Sequence, residues 1–427
     1  MKIETLHALF LESSGICTDT RKITPRCLFF ALKGDNFNGN KFTQDALDKG
    51  AFKVVIDDIN YHKNTGETIL CRSSLALLQK LASFHRNYLG IPIISITGSN
   101  GKTTSKELIN TVLSQKFETA TTLGNLNNHI GVPLTLLSMS ETTEMGLVEM
   151  GANHLKEIHE LSTIAQPDYG YITNFGKAHL EGFGSLEGVV QGKTELYRYL
   201  KDAGKMVFVN GNDPKQLKHS EGMSRVTFGN EQQDLHIRLK DASEMLIVEY
   251  KGTTIRSNLI GLYNFHNIAA AIAIGAHFSI STEEIKRAIE SYIPTNNRSQ
   301  LIRKGSNDII LDAYNANPTS MMAAIENFIQ TKGDKKVLFL GDMFELGADT
   351  AAEHQYITTF LENNSFGNVF LIGENFFQTD ASAPHIQKHK TFEDLKKTLE
   401  KSAPKDSRIL IKASRGMALE RILDLIG

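Results

Sequence analysis

The sequence predicts an α/β chain in three units, and three observations carry that prediction. At 427 residues the chain is longer than one hydrophobic core usually supports. Between Ile91 and Asn297, short apolar runs alternate with helix-period stretches, the pattern of a mostly parallel sheet with helices on both faces. Within that alternation, Ile93-Ile94-Ser95-Ile96-Thr97-Gly98-Ser99-Asn100-Gly101-Lys102-Thr103-Thr104 leads from a buried strand through two glycines into a helix, the layout of a phosphate-binding loop. The units are set at residues 1–84, 85–297 and 298–427.

The first unit is small. Leu28 to Leu32 and Lys53 to Ile56 read as strands, with a helix over Thr43 to Lys49 between them and another from Leu75 to Tyr88 leading onward. The turn Lys33 to Asn40, rich in glycine and asparagine, reads as a loop. Asp19-Thr20-Arg21 lies in another, where an arginine reads as a solvated charge. In the central unit, Ile91 to Ile96, Met145 to Met150, Tyr169 to Thr173 and Met206 to Asn210 are the predicted strands. Lys102 to about Phe117, Leu155 to Ala165 and Leu186 to Leu200 are the predicted helices. Leu235 to Leu239 and Leu246 to Tyr250 alternate at period two, which predicts an antiparallel annex. An alanine-rich helix follows from Asn267 to Phe278, and a second starts at Thr282 as its cap. Pro294 marks the join to the third unit. There, strands at Asp308 to Leu311, Val337 to Leu340, Val369 to Ile372 and Ile409 to Ile411 alternate with helices. The predicted helices run over Thr319 to Ile329, Ala351 to Leu361, Phe392 to Leu399 and Met417 to Leu425.

Composition narrows the function classes. The 46 basic and 48 acidic residues leave a net charge of −2, so the chain has no general attraction for nucleic acid or membrane. No apolar stretch is long enough to span a bilayer, and the N-terminus lacks a signal peptide's basic and apolar regions. Three cysteines without metal-ligand spacing read as reduced thiols, and the expectation is a cytoplasmic protein.

Chemistry concentrates around the glycine loop. The general pattern G-x-x-x-x-G-K-[ST] would place a glycine at position 96, where the chain has Ile96. What remains is the tighter Thr97-Gly98-x-x-Gly101-Lys102-Thr103. Ligands of open parallel sheets gather at the carboxyl ends of strands. The neighbouring strands end in Glu149, an oxygen donor suited to Mg²⁺, and in Asn174, with His179 in the loop beyond. Lys193, on residue type alone, reads as a surface lysine of a helix. Asn264, His266 and Asn267 precede the alanine-rich helix and suit either helix capping or a base edge. Arg298 at the join and Asp312 at a strand end could reach across a cleft, and the polar loop Asp312-Ala313-Tyr314-Asn315-Ala316-Asn317-Pro318 has a composition that suits ligand contact better than packing.

With these strings assembled, the chain resembles the Mur ligases, ATP-dependent amide-forming enzymes of peptidoglycan precursor synthesis. The tight Thr97 to Thr104 loop looks like that family's own version. Gly124-Asn125-Leu126-Asn127-Asn128-His129-Ile130-Gly131-Val132-Pro133, the Asp312 to Pro318 loop and Leu340-Gly341-Asp342-Met343-Phe344-Glu345-Leu346-Gly347 are most similar to the branch that adds D-alanyl-D-alanine to UDP-MurNAc-tripeptide. The resemblance covers essentially the whole chain.

It implies a small N-terminal domain holding the uridine nucleotide, a central ATPase-like domain and a Rossmann-like C-terminal domain that closes over the site. It implies ATP contacts at Gly98, Ser99, Asn100, Gly101, Lys102, Thr103, Thr104, Asn267, Arg298 and Asp312. It also implies two Mg²⁺ sites drawing on Thr103, Glu149, His179 and Lys193, the last carbamylated by CO₂. Lys102, His179 and Lys193 become the catalytic residues; whether His179 binds metal or accepts the amine's proton stays open. Thr20, Arg21, Asn127, Asn128, Asn315, Asn317, Ser414 and Arg415 become substrate contacts, with Ala413 standing where the branch has glycine. A monomer is expected. The rival readings are a nucleotide-hydrolysing switch, or a related Mur or folylpolyglutamate-type ligase.

Overall fold

Three main sheets, one for each unit, organise the chain in a computed structural model that describes residues 1–230, 232–333, 335–364 and 367–427. The N-terminal sheet is four parallel strands in the order Ile16–Cys17, Leu28–Phe30, Lys53–Ile56, Thr68–Leu70. The turn after Leu32 is a small hairpin, Lys33–Gly34 with Phe37–Asn38.

The central sheet has nine strands. Its strand Ile93–Thr97 pairs in parallel with Tyr169–Ile172 on one side and Met145–Glu149 on the other. The chain therefore leaves Thr97 between the ends of two strands that run away in opposite directions of the strand order, which is where an open α/β sheet forms its crevice. Ile93 faces one hydrophobic cluster while Ile94 and Ile96 face another, so the strand is buried on both faces, as its unbroken apolar run requires. Helices Lys102–Leu113, Phe265–His277 and Thr282–Ser291 cover one face. Helix Ser74–Leu89 packs on the other and ties the N-terminal sheet to it. The antiparallel annex is present and gains a third strand: Leu235–Asp241, Met245–Tyr250 and Thr253–Ile260.

The C-terminal sheet has six strands, parallel except for the edge hairpin Gln300–Lys304 with Asn307–Asp312. Asp312 and Lys412 are register partners on adjacent strands. Helices Pro318–Gln330, Thr350–Glu362 and Phe392–Lys401 appear where expected.

Three local expectations change. The predicted helix Leu186 to Leu200 is two helices, Leu186–Lys193 and Glu195–Asp202, meeting at Thr194. The cap of the helix from Thr282 is Ser281, because Glu284 reaches back to it in a reciprocal capping box. Met417 to Leu425 is not an α-helix: Ala418 takes a left-handed conformation, leaving two 3₁₀ turns, Arg415–Met417 and Leu419–Asp424.

Candidate active site

The loop after Thr97 is shaped by two glycines that no other residue could replace unstrained. Gly98 has φ +141° and its missing Cβ would stand 2.0 Å from the Thr173 hydroxyl; Gly101 has φ +77° and sits 2.7 Å, on the same measure, from the Asn267 amide. The loop is pinned to the neighbouring strand end. Ser99 N–H donates to the Asn174 carbonyl at 3.1 Å, Asn100 N–H to the Asn174 side chain at 3.1 Å, and the Thr173 hydroxyl to the Asn100 carbonyl at 2.6 Å. Lys102 folds back over it, donating to the carbonyls of Gly98 at 2.7 Å and Ser99 at 3.2 Å. Desolvation pushes this ammonium below its ordinary value, with Glu149 opposing the shift and Arg298 adding to it. A phosphate arriving here would meet a cation short of counter-charge.

Glu149 is almost fully buried at 2% exposure, and both its oxygens are engaged. Thr103 donates its hydroxyl to Oε2 at 2.9 Å and Asn127 its amide to Oε1 at 2.8 Å. Behind them lies Lys106, also buried, with Nζ 3.8 Å from Oε2 and 2.6 Å from the Thr122 carbonyl. Lys106 is one helical turn beyond Lys102. Its position in a helix gave no signal in the sequence, since a mid-helix lysine normally faces water.

The C-terminal domain forms the opposite wall. Asp312 accepts from Ser299 N–H at 3.0 Å and pairs with the buried Lys412 at 2.5 Å. Arg298 stacks 3.6 Å above the Tyr314 ring, and Arg415 lies 5.6 Å from it on the same ring. The buried Nε of Arg298 has no hydrogen-bond partner among the described residues. Asn317 caps helix Pro318–Gln330 through Oδ1 and donates its amide to Asn100 at 2.7 Å. Between the walls is a cavity of about 560 Å³ bordered by Lys102, Glu149 and His179 on one side and Asp312, Asn315 and Asn317 on the other.

The chain with this glycine loop and facing domain is similar to known proteins over its full length. Residues 96–275 match the Mur ligase middle domain, and residues 297–415 match the Mur ligase, glutamate ligase domain. The UDP-N-acetylmuramoyl-tripeptide–D-alanyl-D-alanine ligase of Bacillus subtilis (strain 168) is 36% identical over 426 residues, covering 96% of this chain and 93% of that protein. The chain belongs to the Mur ligase family. The Escherichia coli (strain K12) ligase of the same name is 30% identical, covering 98% of this chain and 94% of its own. Among solved structures, the MurF ligase of Thermotoga maritima in complex with ADP superposes with a TM-score of 0.86 at 26% identity, covering 97% of each chain. A MurF structure from Acinetobacter baumannii gives 0.85 at 27%, covering 96% of this chain and 92% of its own.

Within this Mur ligase fold the remaining candidate residues divide clearly. Lys193 is not the surface residue its helix suggests. It is fully buried, its Nζ donating to the Ala152 carbonyl at 3.0 Å and lying 5.1 Å from the Phe183 ring centre. Burial, with Lys102 adding repulsion, pushes its amine well below the usual lysine value. His179 lies on the cavity wall with Nδ1 2.5 Å from Glu345, close but off the line of a hydrogen bond. Glu345 is held below the usual carboxylate range, chiefly by that histidine. Asn267 is buried above Gly101, accepting from Ser105 at 2.9 Å and donating to Asn264 at 2.8 Å.

The candidate substrate contacts are more scattered. Asn128 lines the cavity but spends Oδ1 on the N–H groups of Ile130 and Gly131. Ser414 is buried, accepting from Phe344 N–H at 2.9 Å, and so braces a loop. Thr104 is buried at the start of the loop's helix. Thr20 and Arg21 do not line the cavity: they form a 3₁₀ turn of the N-terminal domain, with Arg21 paired to Asp19 at 2.8 Å. Lys106, Tyr314, Glu345 and Lys412 are the site residues that residue-by-residue reasoning passed over, although all but Lys106 lie in or beside strings noted for the family.

Proposed function

We propose that this chain joins D-alanyl-D-alanine to UDP-N-acetylmuramoyl-tripeptide with hydrolysis of ATP to ADP and phosphate, giving the UDP-MurNAc-pentapeptide of peptidoglycan synthesis. The observation that carries the reading is the shared cavity at which the phosphate loop, through Asn100, is hydrogen-bonded to Asn317 of the facing domain. ATP and an acceptor held by separate domains would meet there. On this reading residues 1–84 hold the uridine nucleotide, 85–297 hold ATP, and 298–427 bind the dipeptide and close. The work is cytoplasmic, by a monomer, and serves cell wall biogenesis, and through it cell shape and division.

The chemistry needed is activation of a carboxylate, because condensing it with an amine is uphill in water. The tripeptide's terminal carboxylate attacks the γ-phosphorus of ATP, an acyl phosphate forms and ADP departs. The dipeptide amine then attacks the acyl carbon, and the tetrahedral intermediate releases phosphate. Two anions meet in the first step, so charge neutralisation comes first. Lys102 turns from the Gly98 carbonyl onto the β- and γ-phosphates, and the loop N–H groups take the phosphate oxygens. Asn267 lies beside the loop on the adenine side, while Arg298 and Asp312 approach the nucleotide from the other domain. Asn127, Asn128 and Asn315 border the acceptor side, with Ser414 and Arg415 supporting it from behind the cavity wall, and Thr20 and Arg21 serve the uridine end.

Mg²⁺ fits the oxygens present. Among the described residues no three His, Cys, Asp or Glu side chains converge, so phosphate and water oxygens would complete any coordination shell. Thr103 and Glu149, 2.9 Å apart, would hold one ion. His179 and a carbamate on Lys193 would hold a second; a buried amine of lowered pKa is the neutral nucleophile that addition to CO₂ requires. When bound, the ions neutralise phosphate charge and polarise the phosphorus. His179 otherwise accepts the amine's proton.

The experiment is phosphate release from ATP by the full chain with lysine- and diaminopimelate-containing UDP-tripeptides. Release dependent on D-alanyl-D-alanine, and not on single amino acids, is expected. Equal release without an acceptor would instead identify a nucleotide-hydrolysing switch.

A further inference from the structure

The string Gly341-Asp342-Met343-Phe344-Glu345-Leu346-Gly347 has no role in the mechanism above, yet it is built with unusual care. Asp342 is buried and accepts the N–H groups of Asn375 at 2.9 Å and Phe376 at 3.0 Å. Met343 N–H donates to the buried His354 at 3.0 Å, and Phe344 N–H to Ser414 at 2.9 Å. Three successive residues are thus fixed from three different elements. What this rigid loop delivers is Glu345, in a left-handed conformation with φ +63°. Its carboxylate lies 2.5 Å from Nδ1 of His179 in the central domain, and its carbonyl accepts Glu181 N–H at 3.2 Å. His179 is itself left-handed, with φ +53°. Non-glycine residues take that conformation at an energetic cost, so the two strained residues persist because the surrounding contacts hold them face to face.

The segment that carries His179 is fastened to the C-terminal domain on its other side as well. Lys177 donates its N–H to Thr319 at 2.9 Å and its ammonium lies 2.5 Å from Glu353. Among the described residues, no side chain other than His179 comes within ion-pair distance of Glu345.

We infer that Glu345 is the positioning residue of His179, so that docking of the C-terminal domain is what completes the His179 end of the site. A carboxylate 2.5 Å from Nδ1, though off the line of a hydrogen bond, favours the proton on that nitrogen electrostatically and so biases the ring's orientation. Nε2 is left with its lone pair free, as either a metal ligand or a proton acceptor must have it. The inference rests on the proposed ligase reading for what Nε2 does, but not for the pairing itself.

The test combines two readouts on the full chain: ligase turnover, and Mn²⁺ affinity in the presence of ADP by electron paramagnetic resonance. The variants are Glu345→Ala, Glu345→Gln, His179→Ala and the double alanine variant. Glu345→Ala is expected to lower kcat and weaken one Mn²⁺ site by about tenfold or more, the range for residues that orient a metal ligand. Glu345→Gln, which keeps an acceptor oxygen, recovers part of the loss. The double variant is no worse than His179→Ala. Multiplying losses in the double variant, or His179→Ala weakening Mn²⁺ while Glu345→Ala leaves it at the parental value, overturns the inference. If His179→Ala leaves Mn²⁺ affinity unchanged, the metal role of His179 falls instead; non-additive turnover then still supports the pairing, and additive turnover overturns it.

Discussion

Asn317 of the C-terminal domain donates its side-chain amide to Asn100 in the phosphate loop at 2.7 Å, so the loop that would bind nucleotide is hydrogen-bonded directly to the domain that faces it. The same Asn317 caps its own helix through Oδ1, accepting from Ser320 N–H at 2.9 Å. One residue therefore couples the start of a helix to the state of the loop. Asn317→Ser keeps a good cap but is too short to reach Asn100. It is expected to leave the thermal midpoint close to the parent and to raise KM for ATP about three- to tenfold, the worth of one hydrogen bond of about 0.5–1.5 kcal/mol. Steady-state kinetics beside a thermal melt separates the two effects. A fall in melting temperature with KM unchanged would mean the contact matters only for packing.

Lys106 and Glu149 form a second pair whose value lies in burial. Both are at 3% exposure or less, and the ammonium sits 3.8 Å behind the carboxylate that Thr103 and Asn127 hold from the front. Removing one partner of a buried pair leaves an uncompensated charge and costs about 3–5 kcal/mol. Lys106→Met should therefore lower stability by roughly 3 kcal/mol in urea denaturation, and Glu149→Gln added to it should restore part of that. A Lys106→Met variant as stable as the parent would show that Thr103 and Asn127 suffice for the buried Glu149.

How far the sequence could be read depended on whether local pattern or tertiary packing decides a residue's place. Ile93 to Thr97 and the helix from Lys102 were legible because an apolar run and a glycine turn dictate both elements locally. Glu149 was legible because strand ends converge by a rule of sheet topology. Lys193 was not. Its helix is polar enough to look solvated, and only packing against Phe183 and Ala152 buries it. Family likeness, not residue pattern, singled it out. Met417 to Leu425 has apolar spacing that suits a helix, yet left-handed Ala418 breaks it. Glu345 was invisible for another reason: its partner belongs to a different domain, and no spacing along the chain relates position 345 to 179.

A histidine pair links the N-terminal helix to the central domain and should make stability fall in mild acid. His85 Nε2 lies 2.9 Å from the Met139 carbonyl, so it carries the proton, and Nδ1 accepts from His7 Nε2 at 3.0 Å. Burial lowers both imidazoles below their ordinary 6.5, with His85 adding to the shift of His7. Below pH 6.5 the unfolded chain takes protons that the folded chain refuses, so stability drops as pH falls from 6.5 toward the folded values. His266, His277, His354 and His389 are lowered by burial in the same direction. His85→Gln should therefore make the dependence between pH 7.5 and 5.5 shallower without abolishing it. Urea denaturation at the two pH values measures this, and an unchanged slope would remove the pair from the account.

The amine of Lys193 is the group on which the second-metal reading depends most. A fully buried ammonium with one carbonyl acceptor would be poorly solvated, which is why its proton is weakly held. A neutral amine adds to CO₂ through its lone pair; the new N–C bond forms, a proton leaves to water, and the product is an anionic carbamate. On that reading Lys193→Ala deletes the anion and leaves a cavity beside Ala152 that a small carboxylate can enter. Turnover is expected to collapse by at least a hundredfold, a loss of about 2.7 kcal/mol in transition-state stabilisation, and to return in part with added formate or acetate. Lys193→Arg, always protonated and unable to form the carbamate, should be as inactive and gain nothing from formate. Carbon-13 nuclear magnetic resonance with labelled bicarbonate gives an independent reading, a carbamate signal in the parent that both variants lack. Near-normal turnover in Lys193→Ala would leave His179 without its partner ligand and return Lys193 to a purely structural place beneath Phe183.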